Sequence, residues 1–412
     1  MSDREALERN QLERLNHLLA IVHEKGNPFQ RLRVPSRVDS LNDFRDQVAL
    51  TTKQELAEDR AAHPPFGSNL TFPLDHYTRY CQTSGTSGEP MPWVDTTESW
   101  QSMLDCWKRV HQAAGITSTD ERVFFAFSFG PFLGFWTAYE AATQLGFLAI
   151  PGGGMRSEAR LQMMQRFEVT AFCGTPTYAM RLGGLAKEMG LTFPKLKAIL
   201  VAGEPGGSLP EVRARLEQLW GAHVRVCDHH GLTETGPVTH QDPDHPGRLL
   251  VMEDAFIGEI LDPKTGQEVG EGETGELVLT TLNRTACPLF RYHTGDLVRK
   301  RFTPQLALEG GILGRIDDMV LVRGVNVYPS AIERVVRRFE AIQEYRVIQT
   351  TRDAMIELKL EIESKEGEEN IAKSLQNAMW DQFQLRIPVE TVRPGILPEQ
   401  EFKAKRWVKE SG

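Results

Sequence analysis

From about residue 100 onward, apolar and polar positions fall into short apolar runs separated by helix-like segments. The runs are "RVFFAFSF" (122–129), "GFLAI" (146–150), "VTAFCGTP" (169–176) and "LKAILVAGEP" (196–205), and the segments between and after them include 158–166 and 210–220. Strands alternating with helices predict an α/β fold with a largely parallel sheet, whose ligand loops lie at the C-terminal ends of the strands. Residues 1–60 alternate charged and apolar positions at helical spacing, broken by Pro28 and Pro35, and predict a helical lead-in. From 250 to 310 the pattern shifts to alternating residues with tight glycine turns, as in "DPKTGQEVGEGETGELVLTTL", and predicts a small β-subdomain. After "GRIDD" (314–318) a new unit begins, with a strand at "MVLVRG", a helix over 329–341, strands at "YRVIQTT" and "MIELKLEIE", and a helix over 370–383. We therefore expect two domains: a large one over 1–316, with mixed and parallel sheets wrapped by helices, and a small α+β one over 317–412.

Composition narrows the function classes. The chain has 412 residues, 40% hydrophobic and 25% charged, as expected of a water-soluble globular protein. With 47 basic against 56 acidic residues the net charge is −9, which argues against a nucleic-acid partner. No apolar run is long enough to span a membrane, and the polar N-terminus does not read as a signal peptide. Five scattered cysteines form no CxxC pair and read as reduced thiols, so the cytoplasm is the expected compartment.

Four segments carry candidate chemistry. In "QTSGTSGEP" the loop Thr83, Ser84, Gly85, Thr86, Ser87 and Gly88 offers backbone N–H and hydroxyl donors to anionic oxygens, but no lysine follows as in a Walker A loop. A flexible surface turn would read the same way. "VCDHHGLTETG" (226–236) follows an apolar strand and places Glu234 where a carboxylate suits Mg²⁺ carrying phosphates; helix capping is its plainer explanation. Asp228, His229 and His230 lack metal-ligand spacing and read as polar loop groups. In "RYHTGDL", Asp296 follows a glycine turn and suits a ribose diol. The fourth segment is "GRIDDMVLVRGVNVYPSAIE" (314–333).

In order and spacing these segments, with "AGEP", "TLNRTACPLFRYHTGD" and the terminal "EFKAKR", resemble the acyl-adenylate-forming superfamily, and within it the phenylacetate-CoA ligase branch. The openings "LNHLLAIVHEKGNPFQRLR" and "DFRDQVALTTKQEL" are similar to that branch as well, so the resemblance covers nearly the whole chain. It implies that the 83–88 loop holds the β- and γ-phosphates of ATP and that Gly203, Glu204 and Pro205 lie against the adenine. The stretch Asp228, His229, His230 and Gly231 falls at the adenine edge, His230 standing where a tyrosine is usual. Glu234 is implied as the Mg²⁺ carboxylate, Thr233 as a phosphate-side hydroxyl, and Asp296 with nearby Arg315 as the ribose contact. Asp317 is implied as the hinge of a mobile C-terminal domain, Gly324 as the point where pantetheine enters, and Lys403 as the lysine of adenylation. Without the family, Lys403 reads as a solvated tail lysine, and Lys405 and Arg406 compete for its role. ATP, Mg²⁺ and coenzyme A follow as reactants and cofactors. The branch's homodimeric habit is also implied, although nothing in the residues demands it.

Two departures stand out. Many members of the branch carry a structural zinc held partly by a Cys-x-Cys segment before the hinge; here residues 311–315 read Gly-Ile-Leu-Gly-Arg, and His245 stands without cysteine partners, so no zinc is expected. Phe402 replaces a common glycine before the lysine. The acyl pocket is expected between Phe127, Phe129, Gly130, Phe132, Phe135 and Trp136 on one side and Gly152, Gly153, Gly174, Thr175 and Pro176 on the other. So many rings suit a flat apolar acid such as phenylacetate, benzoate or anthranilate, although core packing accounts for a ring equally well. The leading expectation is an ATP-dependent aryl-acid–CoA ligase. The alternatives are adenylation for a carrier protein or another acceptor, and a catalytically silent nucleotide-binding protein.

Overall fold

The structure, a computed structural model, describes residues 3–83, 89–204, 206–302, 304–323, 325–352, 355–364, 370–398 and 406–410. Helices α1 (Asp3–Lys25), α2 (Leu41–Gln47) and α3 (Lys53–Ala62) form the lead-in. α1 buries Leu15, Leu18, Leu19 and Val22 at helical spacing against Ile257, Leu282 and Phe290. α3 starts on a capping box, in which Thr52 accepts from the Glu55 amide and Glu55 accepts from the Thr52 amide.

A hairpin of β1 (Tyr77–Gln82) and β2 (Pro92–Thr96) follows, then α4 (Thr97–Ala113). The predicted repeating unit is a five-stranded parallel sheet in the order β4-β3-β5-β6-β7. Its strands are β3 (Arg122–Phe125), β4 (Leu148–Pro151), β5 (Ala171–Gly174), β6 (Ala198–Val201) and β7 (Arg225–Asp228), with α5 (Leu133–Gln144), α6 (Ser157–Arg166), α7 (Pro176–Glu188) and α8 (Pro210–Trp220) between them. Successive side chains alternate between two cores. Val123, Phe125, Ala171, Cys173, Ala198 and Leu200 pack with α4 and α5, while Phe124, Phe172, Ile199 and Val201 pack with α6, α7 and α8. With both faces covered, these strands read as continuous apolar runs.

Two short strands, β8 (Gly231–Leu232) and β9 (Gly236–Pro237), follow β7 and pair with each other as a separate antiparallel ribbon. The predicted β-subdomain is a six-stranded antiparallel sheet in the order β10-β11-β15-β14-β13-β12. It comprises β10 (Thr239–Gln241), β11 (Arg248–Val251), β12 (Phe256–Leu261), β13 (Thr274–Thr281), β14 (Tyr292–Phe302) and β15 (Leu306–Arg315). The C-terminal unit contains the pair β16 (Val320–Val322) and β17 (Val325–Val327), then α9 (Pro329–Val336), β18 (Ile342–Arg352), β19 (Met355–Ser364), α10 (Ile371–Phe383), β20 (Val389–Val392) and β21 (Trp407–Glu410). Its four-stranded sheet, β20-β19-β18-β21, and both helices enclose a separate core around Ile332, Val347, Leu360, Leu375 and Met379. α9 is shorter than the predicted 329–341, because Arg337 closes it and the chain turns through Phe339 into β18.

Candidate active site

The loops leaving the C-terminal ends of β3, β5, β6 and β7 carry many of the predicted site residues, while Asp296 and Arg315 come from the antiparallel sheet. Glu234 stands beyond β7 as a buried carboxylate. The Lys53 ammonium, at the first turn of α3, lies 3.4 Å from Glu234 Oε1, and the Tyr292 phenol is close enough to feel the same carboxylate's charge. Burial, and then the negative charge of Glu234, hold the Tyr292 phenol protonated well above its ordinary range.

The backbone around Glu234 is fixed from behind. Arg284 Nη1 donates to the carbonyls of Thr233 and Glu234, each at 2.7 Å. Its other face forms a fork with Asp95, Nε to Oδ1 at 2.8 Å and Nη2 to Oδ2 at 2.6 Å. Burial pushes the Asp95 carboxyl up while Arg284 opposes it, and the bidentate geometry favours the ion pair. Asp95 sits on β2, so one buried pair ties the hairpin to the Thr-Glu loop.

Asp296 on β14 faces Arg315 on β15 as a registered cross-strand pair, with Nη1 3.0 Å from Oδ1. Arg315 Nη2 also donates to the Thr294 carbonyl at 3.1 Å. His230 Nε2 lies 3.3 Å from the other oxygen of Asp296, an ion-pair distance without hydrogen-bond alignment. The turn before Asp296 requires Gly295: its φ is +76°, and a Cβ there would meet the Arg315 guanidinium at 2.8 Å. Ile316 donates to the Gly295 carbonyl, so Asp317 follows directly on this anchored turn.

Asp228 is buried and committed to the protein: Oδ2 accepts from Ser208 at 2.5 Å and Oδ1 from the His229 amide at 3.0 Å. Burial is the main influence and pushes its carboxyl up. Gly311 packs against this pair, where a Cβ would strike Ser208 at 2.7 Å. The His229 ring is wedged against Trp107, with centroids 4.5 Å apart, and its Nδ1 lies 2.8 Å from the Thr239 carbonyl. Burial drives the His229 imidazole down to about 3, so it is neutral at physiological pH. Gly231 is exposed at the mouth of β8. Gly203 turns at φ +92°, and Glu204 Oε1 accepts from the Thr177 amide at 2.8 Å. Gln241 accepts from Arg213 at 3.0 Å and donates to the Arg248 carbonyl. Among the described residues no group of three or more His, Cys, Asp or Glu is arranged to hold a metal ion.

The aromatic residues form one cluster. Phe127 and Phe135 stack at 4.1 Å, Phe129 meets Phe127, Trp136 and Tyr139 at 5.4, 4.9 and 5.3 Å, and Phe132 touches Phe135. Trp136 donates to the Gly130 carbonyl, and Gly153 lies against Phe129. Gly152 admits the Phe124 ring, which a Cβ would strike at 2.5 Å. Gly174 ends β5, Thr175 caps α7 by accepting from the Tyr178 amide, and Pro176 takes the helix's first position. Thr83 closes the base of the hydroxyl loop, its amide donating to the Met91 carbonyl and its hydroxyl accepting from the Met91 amide. Ser84, Gly85, Thr86, Ser87, Gly88, Pro205, Gly324 and Lys403 lie outside the described residues.

The sequence reading missed Lys53, Asp95, Arg284 and Tyr292. The one available signal for Lys53 was its place directly after a capping threonine, which reads equally as an ordinary helix start.

A sequence profile of the AMP-binding enzymes matches residues 29–284, and a profile of the AMP-binding enzyme C-terminal domain matches 324–410. A phenylacetate-coenzyme A ligase of Thermus thermophilus is 31% identical over 379 residues, covering 88% of this chain and 82% of that protein. A 2-hydroxyisobutyryl-CoA ligase in its postadenylation state with 2-HIB-AMP superposes with a TM-score of 0.91 at 29% identity, covering 100% of this chain and 90% of that one. The same ligase with 2-HIB-AMP and CoA in its thioesterification state gives 0.73 at the same identity, covering 100% and 91%. With sequence and coverage nearly constant, the lower score marks a different overall arrangement of that protein, and this chain matches the postadenylation one.

Proposed function

The chain belongs to the AMP-binding enzyme family, and from that premise we propose that it joins an aromatic carboxylic acid to coenzyme A through an acyl-AMP intermediate. ATP-dependent acid–CoA ligation is the activity; the aromatic acid and the residue roles are our reading. A carboxylate is a poor acyl donor, because its leaving group would be oxide. Attack on the α-phosphate gives a mixed anhydride from which AMP leaves readily, and the CoA thiol then takes the acyl group.

The observation that carries the roles is the convergence of Lys53, Glu234, Tyr292, Asp296 and Arg315 beyond the C-terminal edge of the parallel sheet. Asp296 and His230 take the ribose side, with Arg315 holding Asp296 in place. The 83–88 loop takes the outer phosphates, and Lys53 and Lys403 supply the cations that this loop lacks. Glu234 would hold Mg²⁺: a single buried carboxylate fits an ion that draws its other ligands from phosphates and water. When bound, the ion supplies charge neutralisation at the phosphates during transfer. The division at Asp317, a homodimeric state and a cytoplasmic location complete the reading.

The cluster around Phe127 and Phe129 supports an aryl acid. A compact branched acid is the second reading, favoured by the 2-hydroxyisobutyryl-CoA ligase likeness and by the Phe127–Phe135 stack, in which the rings fill space themselves. Pyrophosphate exchange over a panel of aryl, branched and linear acids tests both. Exchange strongest with phenylacetate, benzoate or anthranilate supports the first reading, exchange confined to small aliphatic acids overturns it for the second, and silence across the panel defeats both.

A further inference from the structure

Arg406 lies immediately before the last strand, three residues beyond Lys403 in sequence, and is 7% exposed. Most of its partners belong to the C-terminal unit. Nε and Nη2 form a fork with Glu344 at 2.6 and 3.2 Å, Nη1 reaches Glu333 at 3.2 Å, and the plane lies 4.9 Å over the Tyr345 ring. Its carbonyl accepts from the Val347 amide at 2.7 Å, fastening the last strand to the sheet. One further contact leaves the unit: Nη1 lies 3.3 Å from the hydroxyl of Thr177, on the first turn of α7.

Thr177 joins the two halves of the site. Its amide donates to Glu204, and the preceding Pro176 packs on Gly206, where a Cβ would lie 2.9 Å from the ring. Other contacts join the same two surfaces: Gln218 to Glu340 at 3.0 Å, and Glu211 to Arg338 at 3.7 Å. These are at the surface, where such pairs contribute little. The Thr177–Arg406 contact is shielded from water, so it is the stronger tie per bond.

We propose that Thr177 and Arg406 are positioning residues forming a latch that holds the C-terminal unit in the arrangement for acyl-adenylate formation. Transfer to CoA requires the latch to open, because the arrangement seen here matches the 2-HIB-AMP complex of the similar ligase better than its thioesterification state. The latch rests on the ligase reading above.

Thr177→Val removes the acceptor while leaving Arg406 its Glu333 and Glu344 partners. We expect the maximal rate of acid-dependent pyrophosphate exchange to fall about 3- to 30-fold. The KM for the acid and CoA capture of preformed acyl-adenylate should stay near their unaltered values. Thr177→Ser should restore exchange. The domain arrangement is read separately by placing Gln218→Cys and Glu340→Cys in the protein and following crosslinking by a short bis-maleimide. The five native cysteines are buried and compete poorly. Thr177→Val should slow the crosslinking. Equal loss in both half-reactions, no loss in either, or unchanged crosslinking overturns the latch. Absence of exchange in the unaltered protein would instead defeat the ligase reading, and crosslinking would still decide the latch.

Discussion

Arg284 has no open face toward a ligand, yet it bears on the site through the two carbonyls it holds. Removing one partner of a buried ion pair leaves an uncompensated charge, so Asp95→Ala should destabilise the protein by about 3–5 kcal/mol, measured by urea denaturation. Glu234→Gln keeps the shape and removes the charge. It should lower pyrophosphate exchange by about 100-fold with little change in stability. Lys53→Ala removes a half-exposed cation and should raise the KM for ATP about 10-fold, measured in the same assay, with Lys53→Arg recovering part of the loss. Glu234 stood out in the sequence because a carboxylate in a Gly/Thr loop after an apolar strand is an unusual combination, and the structure places it beside Lys53. Lys53, Asp95 and Tyr292 were not, because each is ordinary in its own segment and gains meaning only where α3, β2 and β14 meet.

At the level of elements, the parallel sheet could be read from its apolar runs, but its strands are shorter than those runs. β3 ends at Phe125, and residues 126–129 leave the sheet as the loop that carries Phe127 and Phe129. Apolarity persists past the strand because the loop packs its rings on α5, so composition alone does not mark the boundary. The turn at Gly295 illustrates the opposite case, a short signal with a clear structural reason. Gly295→Ala places a methyl in left-handed backbone against the Arg315 guanidinium and should displace Arg315 from Asp296. We expect the KM for ATP to rise several-fold, about 5- to 20-fold by loss of a charge-assisted bond, while the KM for CoA is unchanged.

Across the whole molecule, acid should weaken the fold through buried imidazoles. Burial drives His111 down to about 4 and His229 to about 3, from an ordinary value of 6.5. The unfolded chain therefore takes up protons below pH 6.5 that the folded chain refuses. Stability is flat above that pH and falls as pH drops toward 4, by about 1.4 kcal/mol per pH unit for each imidazole. Glu333, held at about 2 by Arg337 and Arg406 despite its burial, adds a loss in the same direction below pH 4.5. Urea midpoints at pH 7, 6 and 5 check the slope, and His111→Phe should reduce it by about half. The strands and helices around the separate Ile332–Leu375 core were foreshadowed by the change of pattern after "GRIDD", whereas the contact of Arg406 with α7 was not, because Thr177 and Arg406 lie 229 residues apart. The most direct test of ligation through acyl-AMP is product stoichiometry with ATP, Mg²⁺, coenzyme A and an aryl acid. The account predicts AMP, pyrophosphate and aryl-CoA in equal amounts; ADP and phosphate in place of AMP and pyrophosphate, or AMP release independent of the acid, would contradict it.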